Sequence, residues 1–199
     1  MIAIVDYGVG NLFSIARSLE YIGCECRLTS DADEIYKAEK VLLPGVGAFG
    51  DAMKKLSLTG LDLPLKERAA GGGIIMGICL GMQLLFDISY EYGRHEGLGL
   101  IPGEVVPLEV DLKVPQIGWN ALDVHKKEHP LMKNVNDGDY VYYVHSYYAA
   151  CDEKYIVATS EYGIDVPGVV GRDNVMGAQF HPEKSGSVGL GILKAFAEI

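Results

Sequence analysis

Two short motifs contain residues that can act as a nucleophile, a proton carrier and an orienting carboxylate. Cys79 lies within Gly-Ile-Cys-Leu-Gly at residues 77–81, and His181 is followed by Pro182 and Glu183. A cysteine thiolate attacks carbonyl carbons, and a histidine carries the proton that the leaving group needs. In extended backbone a carboxylate two residues away points in the same direction as the imidazole and can fix its tautomer. The residues therefore predict a Cys-His-Glu triad for acyl transfer.

The cysteine motif has the spacing of a nucleophile elbow, a sharp turn between a strand and a helix. The apolar run 74–78 predicts the strand, and residues 80–86 predict the start of the helix. Glycines two positions before and after the nucleophile are needed because its strained backbone brings its neighbours close together. The turn would place Cys79 at a helix N-terminus, where backbone N–H groups favour the thiolate. A buried structural cysteine is the alternative, but the joint context favours a nucleophile.

A glycine-rich loop follows another predicted strand and supports two interpretations. The sequence Pro-Gly-Val-Gly at 44–47 comes directly after the apolar run 41–43. Its glycines would let backbone N–H groups turn toward the oxyanion that forms when a thiolate attacks a carbonyl. Gly45, Gly47 and Gly50 also satisfy the dinucleotide fingerprint G-x-G-x-x-G. We favour the oxyanion loop, because the fingerprint belongs to the first strand-helix unit of a dinucleotide fold and Pro44 stiffens this turn.

The elements that position these motifs alternate in the first half of the chain and change character in the second. Short apolar runs at 2–6, 26–29, 40–43 and 74–78 predict strands, and helical spacing appears at 11–22, 49–56 and 80–86. This alternation predicts an α/β fold, a doubly wound and mostly parallel sheet flanked by helices. Further strands, which we expect to be antiparallel, are predicted at 105–114, 140–148, 155–160, 166–171 and 175–180, before a last helix at 187–199. We expect one domain over residues 1–199.

Composition excludes several classes of protein. The 17 Lys and Arg against 27 Asp and Glu give a formal charge of −10, so nucleic acid and anionic membranes are not expected partners. The four cysteines form no C-x-x-C pair, which predicts reduced thiols, a cytoplasmic location and no metal site. The run 69–86 carries no charge, but its glycine triplet and lack of a second apolar span argue against a membrane helix. We expect no cofactor.

Taken together, the motifs resemble those of the class I (triad) glutamine amidotransferases. The elbow Gly-Ile-Cys-Leu-Gly-Met-Gln at 77–83 and Gln-Phe-His-Pro-Glu-Lys-Ser at 179–185 are similar to that family. The sequences at 5–11, 43–53, 115–120 and 143–147 are similar to its branch of imidazole glycerol phosphate synthase glutaminases, and Val46 in the glycine-rich loop favours this branch. The matching segments are spread over nearly the whole chain.

The resemblance implies a reaction and a set of residues. Cys79 would attack the side-chain amide of glutamine, His181 would give a proton to the leaving ammonia, and Glu183 would orient His181. The ammonia would pass to a (β/α)8-barrel cyclase subunit in histidine biosynthesis. By the same resemblance, the residues that bind substrate or the oxyanion are Gly45, Val46, Gly47, Gln83, Tyr143, His145 and Ser146. Those facing the partner are Asn11, Tyr142 and Lys184.

Two other interpretations of the sequence remain open. One is another cysteine hydrolase, or a class I glutaminase that serves a different synthase. The other is a nucleotide-binding module that uses its glycine loops to hold phosphate. One physical point favours a partner-dependent enzyme: Val46 is less free than glycine to adopt positive φ, so the oxyanion loop is expected to be incomplete until a partner reshapes it. Weak glutaminase activity is therefore expected for the isolated chain.

Overall fold

The computed structural model describes residues 1–199. The strands are β1 (Ile2–Val5), β2 (Cys26–Thr29), β3 (Lys40–Leu43), β4 (Ile74–Ile78), β5 (Ile88–Ser89), β6 (His95–Glu96), β7 (Glu104–Pro107), β8 (Gln116–Ala121), β9 (Asp123–Val124), β10 (Tyr140–His145), β11 (Tyr147–Ala150), β12 (Ile156–Glu161), β13 (Asp165–Arg172) and β14 (Val175–Ala178). The α-helices are α1 (Leu12–Tyr21), α2 (Ala32–Lys37), α3 (Phe49–Leu58), α4 (Asp62–Ala70), α5 (Leu80–Gln83) and α6 (Gly186–Ala197). Three single 3₁₀ turns cover Pro130–Met132, Glu153–Tyr155 and Pro182–Lys184.

Eight strands form the main sheet in the order β2-β1-β3-β4-β14-β13-β12-β9. The first five in this order run parallel, and the remaining three are added antiparallel. The predicted fold class, a mostly parallel sheet with antiparallel strands from the second half of the chain, is confirmed. Because β1, β3, β4 and β14 are parallel neighbours, the segments that follow them emerge side by side at one edge of the sheet.

Period-two alternation in the central strands separates the two faces of the sheet. In β1, Ile2 and Ile4 face a core formed with α1 and α6, whereas Ala3 and Val5 face a second core formed with α2, α3 and α4. Each face is apolar because helices cover both sides of a parallel sheet. The two layers of helices hold the sheet edge rigidly, which is the support that a catalytic site on that edge requires.

Two smaller sheets extend the second half of the chain, and they correct two strand predictions. The predicted strand 140–148 is two strands, because β10 pairs with β8 in a two-stranded ribbon whereas β11 joins a sheet in the order β11-β7-β5-β6. The break falls at Ser146, whose carbonyl accepts a hydrogen bond from Leu108 N. The predicted strand 105–114 ends at Pro107, beyond which residues 108–114 form a loop.

The helices also differ from the predictions at several places. The predicted helix 80–86 is the single turn α5, whereas α2 and α4 form where no helix was predicted. The glycine triplet ends α4: Gly72, with φ +81°, donates to the Ala69 carbonyl, and Gly73 donates to the Arg68 carbonyl. The uncharged run 69–86 is therefore a helix end, a turn, β4 and α5, and no helix in the chain has the length and apolarity needed to cross a membrane.

Candidate active site

Cys79 occupies a strained turn directly after β4. Its φ is +54° and its ψ is −115°, a conformation that L-residues rarely adopt. A Cβ on Gly81 would lie 1.9 Å from the carbonyl oxygen of Leu43, and a Cβ on Gly77 would lie 2.5 Å from the carbonyl oxygen of Gly81. Only glycine fits either position, so the two glycines of the motif are explained by backbone contacts. The helix that follows has four residues, so its dipole contributes little to the site.

His181 reaches the same edge of the sheet because β14 is the parallel neighbour of β4. Its Nδ1 lies 2.9 Å from Oε1 of Glu183, and the two side chains are 6% and 0% exposed. The two residues come together through the 3₁₀ turn at Pro182–Lys184, and not through the extended backbone expected from the sequence. The second carboxylate oxygen of Glu183, Oε2, is buried without a hydrogen-bond partner. The predicted pairing of His181 with Glu183 is present in the structure.

Charge and burial act in opposite directions on His181. Burial alone would lower the pKa of this imidazole, but the nearby Cys79 sulfur and the hydrogen bond with Glu183 favour the charged form and raise the pKa to about 10. With Nδ1 held by Glu183, Nε2 is the ring nitrogen left for Cys79 and the substrate. At neutral pH His181 is therefore an imidazolium that can donate a proton at the nucleophile.

A cleft of about 400 Å³ contains Cys79 in its wall and is lined by most of the predicted site residues. The predicted residues that line it are Cys79, His181, Val46, Gly47, Gln83, His145, Ser146, Asn11 and Lys184. Gly45 belongs to the same loop as Val46 and Gly47 and packs so closely against the elbow that a Cβ would lie 2.7 Å from the Gly81 backbone nitrogen, and Glu183 lies behind His181. Gly47 has φ +94°, whereas Val46 does not adopt positive φ and is 43% exposed.

Tyr143 is the predicted substrate-binding residue whose side chain does not reach the cleft. It is fully buried, its hydroxyl lies 2.8 Å from the Ser160 hydroxyl, and its ring packs edge-on against Phe180. Strand β10 alternates, so Tyr143 points into the core whereas Tyr142 points outward. Tyr143 is therefore a core residue, which corrects the expectation from the motif.

His145 lines the cleft as a neutral imidazole. Its Nδ1 lies 2.9 Å from the Tyr147 carbonyl oxygen, and its Nε2 lies 2.8 Å from Oε1 of Gln116. Burial lowers the pKa of His145 to about 4, so the ring carries one N–H. Both partner atoms are oxygens that only accept, so the single N–H of the neutral ring can donate to only one of them. At neutral pH His145 is therefore uncharged, with a hydrogen-bond acceptor beside each ring nitrogen.

Two buried amides connect the cleft wall to the nucleophile. The amide nitrogen of Gln83 donates to the Tyr147 carbonyl at 2.9 Å and to Oε1 of Gln179 at 3.0 Å. The amide nitrogen of Gln179 lies 3.9 Å from Sγ of Cys79. Because both donors of Gln83 are used, only its Oε1 remains for a substrate, and it can only accept. Gln179 was not predicted as a site residue, although it lies within the His181 motif.

Glu91 is a further cleft residue for which the sequence carries no motif. Its Oε2 accepts a 2.6 Å hydrogen bond from Phe49 N and so caps the start of α3. Burial raises the pKa of this carboxyl, and the hydrogen bond from Phe49 N acts in the opposite direction. Glu91 is the one acidic residue among those that line the cleft.

Comparison with known proteins assigns this arrangement to a family. The family model described as glutamine amidotransferase class-I matches residues 3–198. The chain belongs to the class I glutamine amidotransferases. The family predicted from the motifs is confirmed, and membership makes the chain a glutaminase with a cysteine nucleophile.

Several full-length relatives of this class I glutamine amidotransferase share one name. The chain is 55% identical to imidazole glycerol phosphate synthase subunit HisH of Listeria monocytogenes, covering 100% of this chain and 96% of the relative. It is 50% identical to the same subunit of Caldanaerobacter subterraneus subsp. tengcongensis, covering 100% and 98%. Among solved structures, a glutamine amidotransferase has a TM-score of 0.78 at 19% identity with 100% of both chains covered. PurLQS from Thermotoga maritima has a TM-score of 0.77 at 20% identity, covering 99% and 97%, and both likenesses concern the fold alone.

Replacing Glu183 with glutamine is expected to make the stability of this amidotransferase less dependent on pH. The raised pKa of His181 means that protonation of its imidazole stabilises the fold fully below its ordinary value of 6.5, and that this contribution is lost as the pH rises through about 10. Glu183→Gln removes one cause of that shift, so the free energy of unfolding should fall by about 2–4 kcal/mol at pH 7. The difference from wild type should narrow near pH 10, as measured by denaturant unfolding at both pH values.

The exposed Glu20, paired with Arg17 on α1, provides the matched substitution. Glu20→Gln should change the free energy of unfolding by less than about 1 kcal/mol at either pH. A Glu183→Gln effect that is equally large at pH 7 and pH 10 would contradict the assigned coupling between Glu183 and the charge on His181.

Proposed function

We propose that this chain is the glutaminase subunit of an imidazole glycerol phosphate synthase. It hydrolyses glutamine to glutamate and ammonia and passes the ammonia to a cyclase partner in histidine biosynthesis. The observation that carries the proposal is Cys79 on its strained elbow beside the His181–Glu183 pair, at the floor of a cleft large enough for an amino acid. The name shared by the full-length relatives supports the choice of synthase.

The first half-reaction forms a thioester. The thiolate of Cys79 attacks the side-chain carbonyl carbon of glutamine, and the carbonyl oxygen becomes an oxyanion. When the C–N bond breaks, the imidazolium of His181 gives its Nε2 proton to the leaving nitrogen, so ammonia departs and His181 becomes neutral. Glu183 stabilises the imidazolium before transfer and holds the ring with Nε2 toward the sulfur.

The second half-reaction releases glutamate. Neutral His181 accepts a proton from water as the water oxygen attacks the thioester carbon. The C–S bond then breaks, glutamate leaves, and Cys79 and His181 return to the thiolate and the imidazolium. The same ring nitrogen therefore acts as acid in one step and as base in the next, and one histidine beside the sulfur is sufficient.

The cleft walls supply groups of the right polarity for glutamine. Oε1 of Gln83 accepts an N–H of the substrate, because both Gln83 donors are already used. The carboxylate of Glu91 provides a negative charge for the α-ammonium group. The backbone N–H groups of Val46 and Gly47 are the candidates for binding the oxyanion, at the tip of the loop that follows β3.

An exposed aromatic face next to the cleft fits a protein partner. On the β8–β10 ribbon, Trp119 lies directly opposite Tyr142 with the ring centroids 5.9 Å apart, and Trp119 is 55% exposed. Nζ of Lys184 lies 5.9 Å from the Tyr142 ring, and both Lys184 and Asn11 also line the cleft. We propose that the (β/α)8-barrel cyclase binds here as a heterodimer, so that ammonia leaves the cleft into the partner. Trp119 was not predicted as an interface residue.

Glutamate release should depend on this partner. We expect the isolated chain to turn over glutamine about 100-fold more slowly than the complex with the cyclase, because an incomplete oxyanion hole costs about that factor. Trp119→Ala should raise the Kd for the cyclase about 30-fold, as truncation of a central interface aromatic does. Calorimetric titration and a glutamate assay with and without the cyclase measure both effects.

Tyr36 is an aromatic side chain of similar exposure, 54%, on α2, which packs against α4 and β1, and Tyr36→Ala should leave Kd unchanged. Rapid glutamine turnover without any partner, or stimulation by another synthase and not by the cyclase, would overturn the proposal.

We propose a cytoplasmic location, since all four cysteines are free thiols and such thiols persist in reducing compartments.

A further inference from the structure

The phenol of Tyr7 lies outside the cleft but contacts the loop that is to bind the oxyanion. Tyr7 follows β1 and is 2% exposed, and its hydroxyl donates a 2.8 Å hydrogen bond to the carbonyl oxygen of Pro44. Strands β1 and β3 are parallel neighbours, so the segments that leave them emerge next to each other. The strand order of the sheet therefore produces a buried contact between two segments that are 37 residues apart.

The stem of the oxyanion loop, Pro44 and Gly45, is held on two sides. A Cβ on Gly45 would lie 2.7 Å from the Gly81 backbone nitrogen and 3.0 Å from the Tyr7 hydroxyl oxygen. The stem is thus packed between the elbow of Cys79 and the phenol of Tyr7. The tip is different, because nothing lies within 4 Å of a Cβ built on Gly47 and Val46 is 43% exposed.

We propose that Tyr7 is a positioning residue that anchors the stem of the oxyanion loop. Its hydrogen bond to the Pro44 carbonyl oxygen fixes the orientation of the Pro44–Gly45 peptide plane. Only the next two peptide units, which carry the N–H groups of Val46 and Gly47, then remain free to rotate. This inference rests on the proposed glutaminase function. Without the hydroxyl, a third peptide unit becomes free to rotate, and the N–H groups are less well ordered when the oxyanion forms.

The segment that carries Tyr7 also leads to the partner face. Gly10, with φ +119°, packs against Pro44 so closely that a Cβ would lie 3.0 Å from the Pro44 Cβ. The next residue, Asn11, lines the mouth of the cleft. Residues 7–11 therefore touch the stem at two points and end at the proposed cyclase surface. A partner that contacts Asn11 acts on a segment already bonded to the oxyanion loop.

Tyr7→Phe tests the anchor in the complex of the full chain with the cyclase. We expect kcat for glutamate release to fall about tenfold with KM changed by less than about twofold, because the lost order affects only the transition state. Iodoacetamide alkylates Cys79 by direct displacement of iodide and forms no oxyanion, so the alkylation rate should not change. Circular dichroism checks the fold. In Gly10→Ala the added Cβ would crowd the Pro44 side chain. This variant should likewise lower kcat and leave KM and the alkylation rate unchanged.

Tyr162→Phe is the matched control, since its hydroxyl also donates to a backbone carbonyl, that of Lys113, at 2.7 Å. It should change neither kinetic constant. Unchanged kcat in Tyr7→Phe, alkylation that slows in parallel with turnover, or a rise in KM alone would each overturn the anchor. If the wild-type complex releases no glutamate, the proposed function fails instead, and the two failures are thereby distinguished.

Discussion

Glutamate release by the complex with the cyclase is expected to fall at least about 10⁴-fold when Cys79 is replaced by alanine. The thiolate forms the covalent bond that divides amide hydrolysis into two easier steps, and alanine has no atom that can replace it. Ser146 also lines the cleft, but it lies in the break between β10 and β11 and not on a strained elbow. The substitution keeps the backbone of the turn, so glutamine binding should persist. A coupled glutamate assay and calorimetric titration measure the two properties separately.

Cys151 provides the control for this substitution. It is a half-buried thiol outside the cleft, and burial raises its pKa to about 11, so it is a poor nucleophile at neutral pH. Cys151→Ala should leave kcat and KM within about twofold of wild type, since neither constant involves that side chain. Turnover by Cys79→Ala within tenfold of wild type would mean that water attacks the amide directly, and the covalent mechanism would then be wrong.

The nucleophile and its partners were predictable because their constraints are local in sequence. Gly77 and Gly81 flank Cys79 since the backbone of the elbow leaves no room for a Cβ at either position. Glu183 stands two residues after His181 and reaches it within a single 3₁₀ turn. Contacts between residues so close in sequence require a fixed spacing along the chain. That spacing can be recognised without knowledge of the rest of the fold.

The missed site residues act through contacts between distant segments. Glu91 bonds to the backbone of Phe49, 42 residues away, and Tyr7 bonds to Pro44, 37 residues away. Neither contact can be predicted from sequence spacing, because both depend on which strands and loops are neighbours in the folded structure. Tyr143 shows the converse. It lies within a motif of the family, but alternation along β10 directs its side chain into the core.

Helix α4 was missed because its buried face is small and includes an arginine. Within the helix only Leu65 and Arg68 are buried, which gives no apolar periodicity to detect. The Arg68 guanidinium is stabilised by the carbonyl oxygens of Ile35, Tyr36 and Glu39, at and beyond the end of α2. Helix α4 is thus stabilised by tertiary contacts that cannot be predicted from its own sequence pattern.

The second large effect is expected at His181. Replacing it with asparagine should lower kcat for glutamate release by about 10³-fold, within the range that general acid-base catalysis contributes. Both half-reactions pass a proton through Nε2, so neither ammonia release nor thioester hydrolysis keeps its catalyst. His125 is the control: it is exposed and bonded to the Thr159 hydroxyl at 2.8 Å, and His125→Asn should leave turnover unchanged.

The other histidine of the cleft cannot replace His181. Each ring nitrogen of His145 lies beside an acceptor oxygen, the Tyr147 carbonyl oxygen or Oε1 of Gln116, and burial lowers its pKa to about 4. His145 is therefore uncharged at pH 7 and cannot act as an imidazolium acid, whereas the pKa of His181, raised to about 10, favours its imidazolium form. Mass spectrometry of the quenched His181→Asn complex should accordingly show little glutamyl adduct on Cys79, since the first half-reaction is already blocked. Turnover within tenfold of wild type would instead identify another group as the proton carrier, and the raised pKa of His181 would then reflect only its proximity to Cys79 and Glu183.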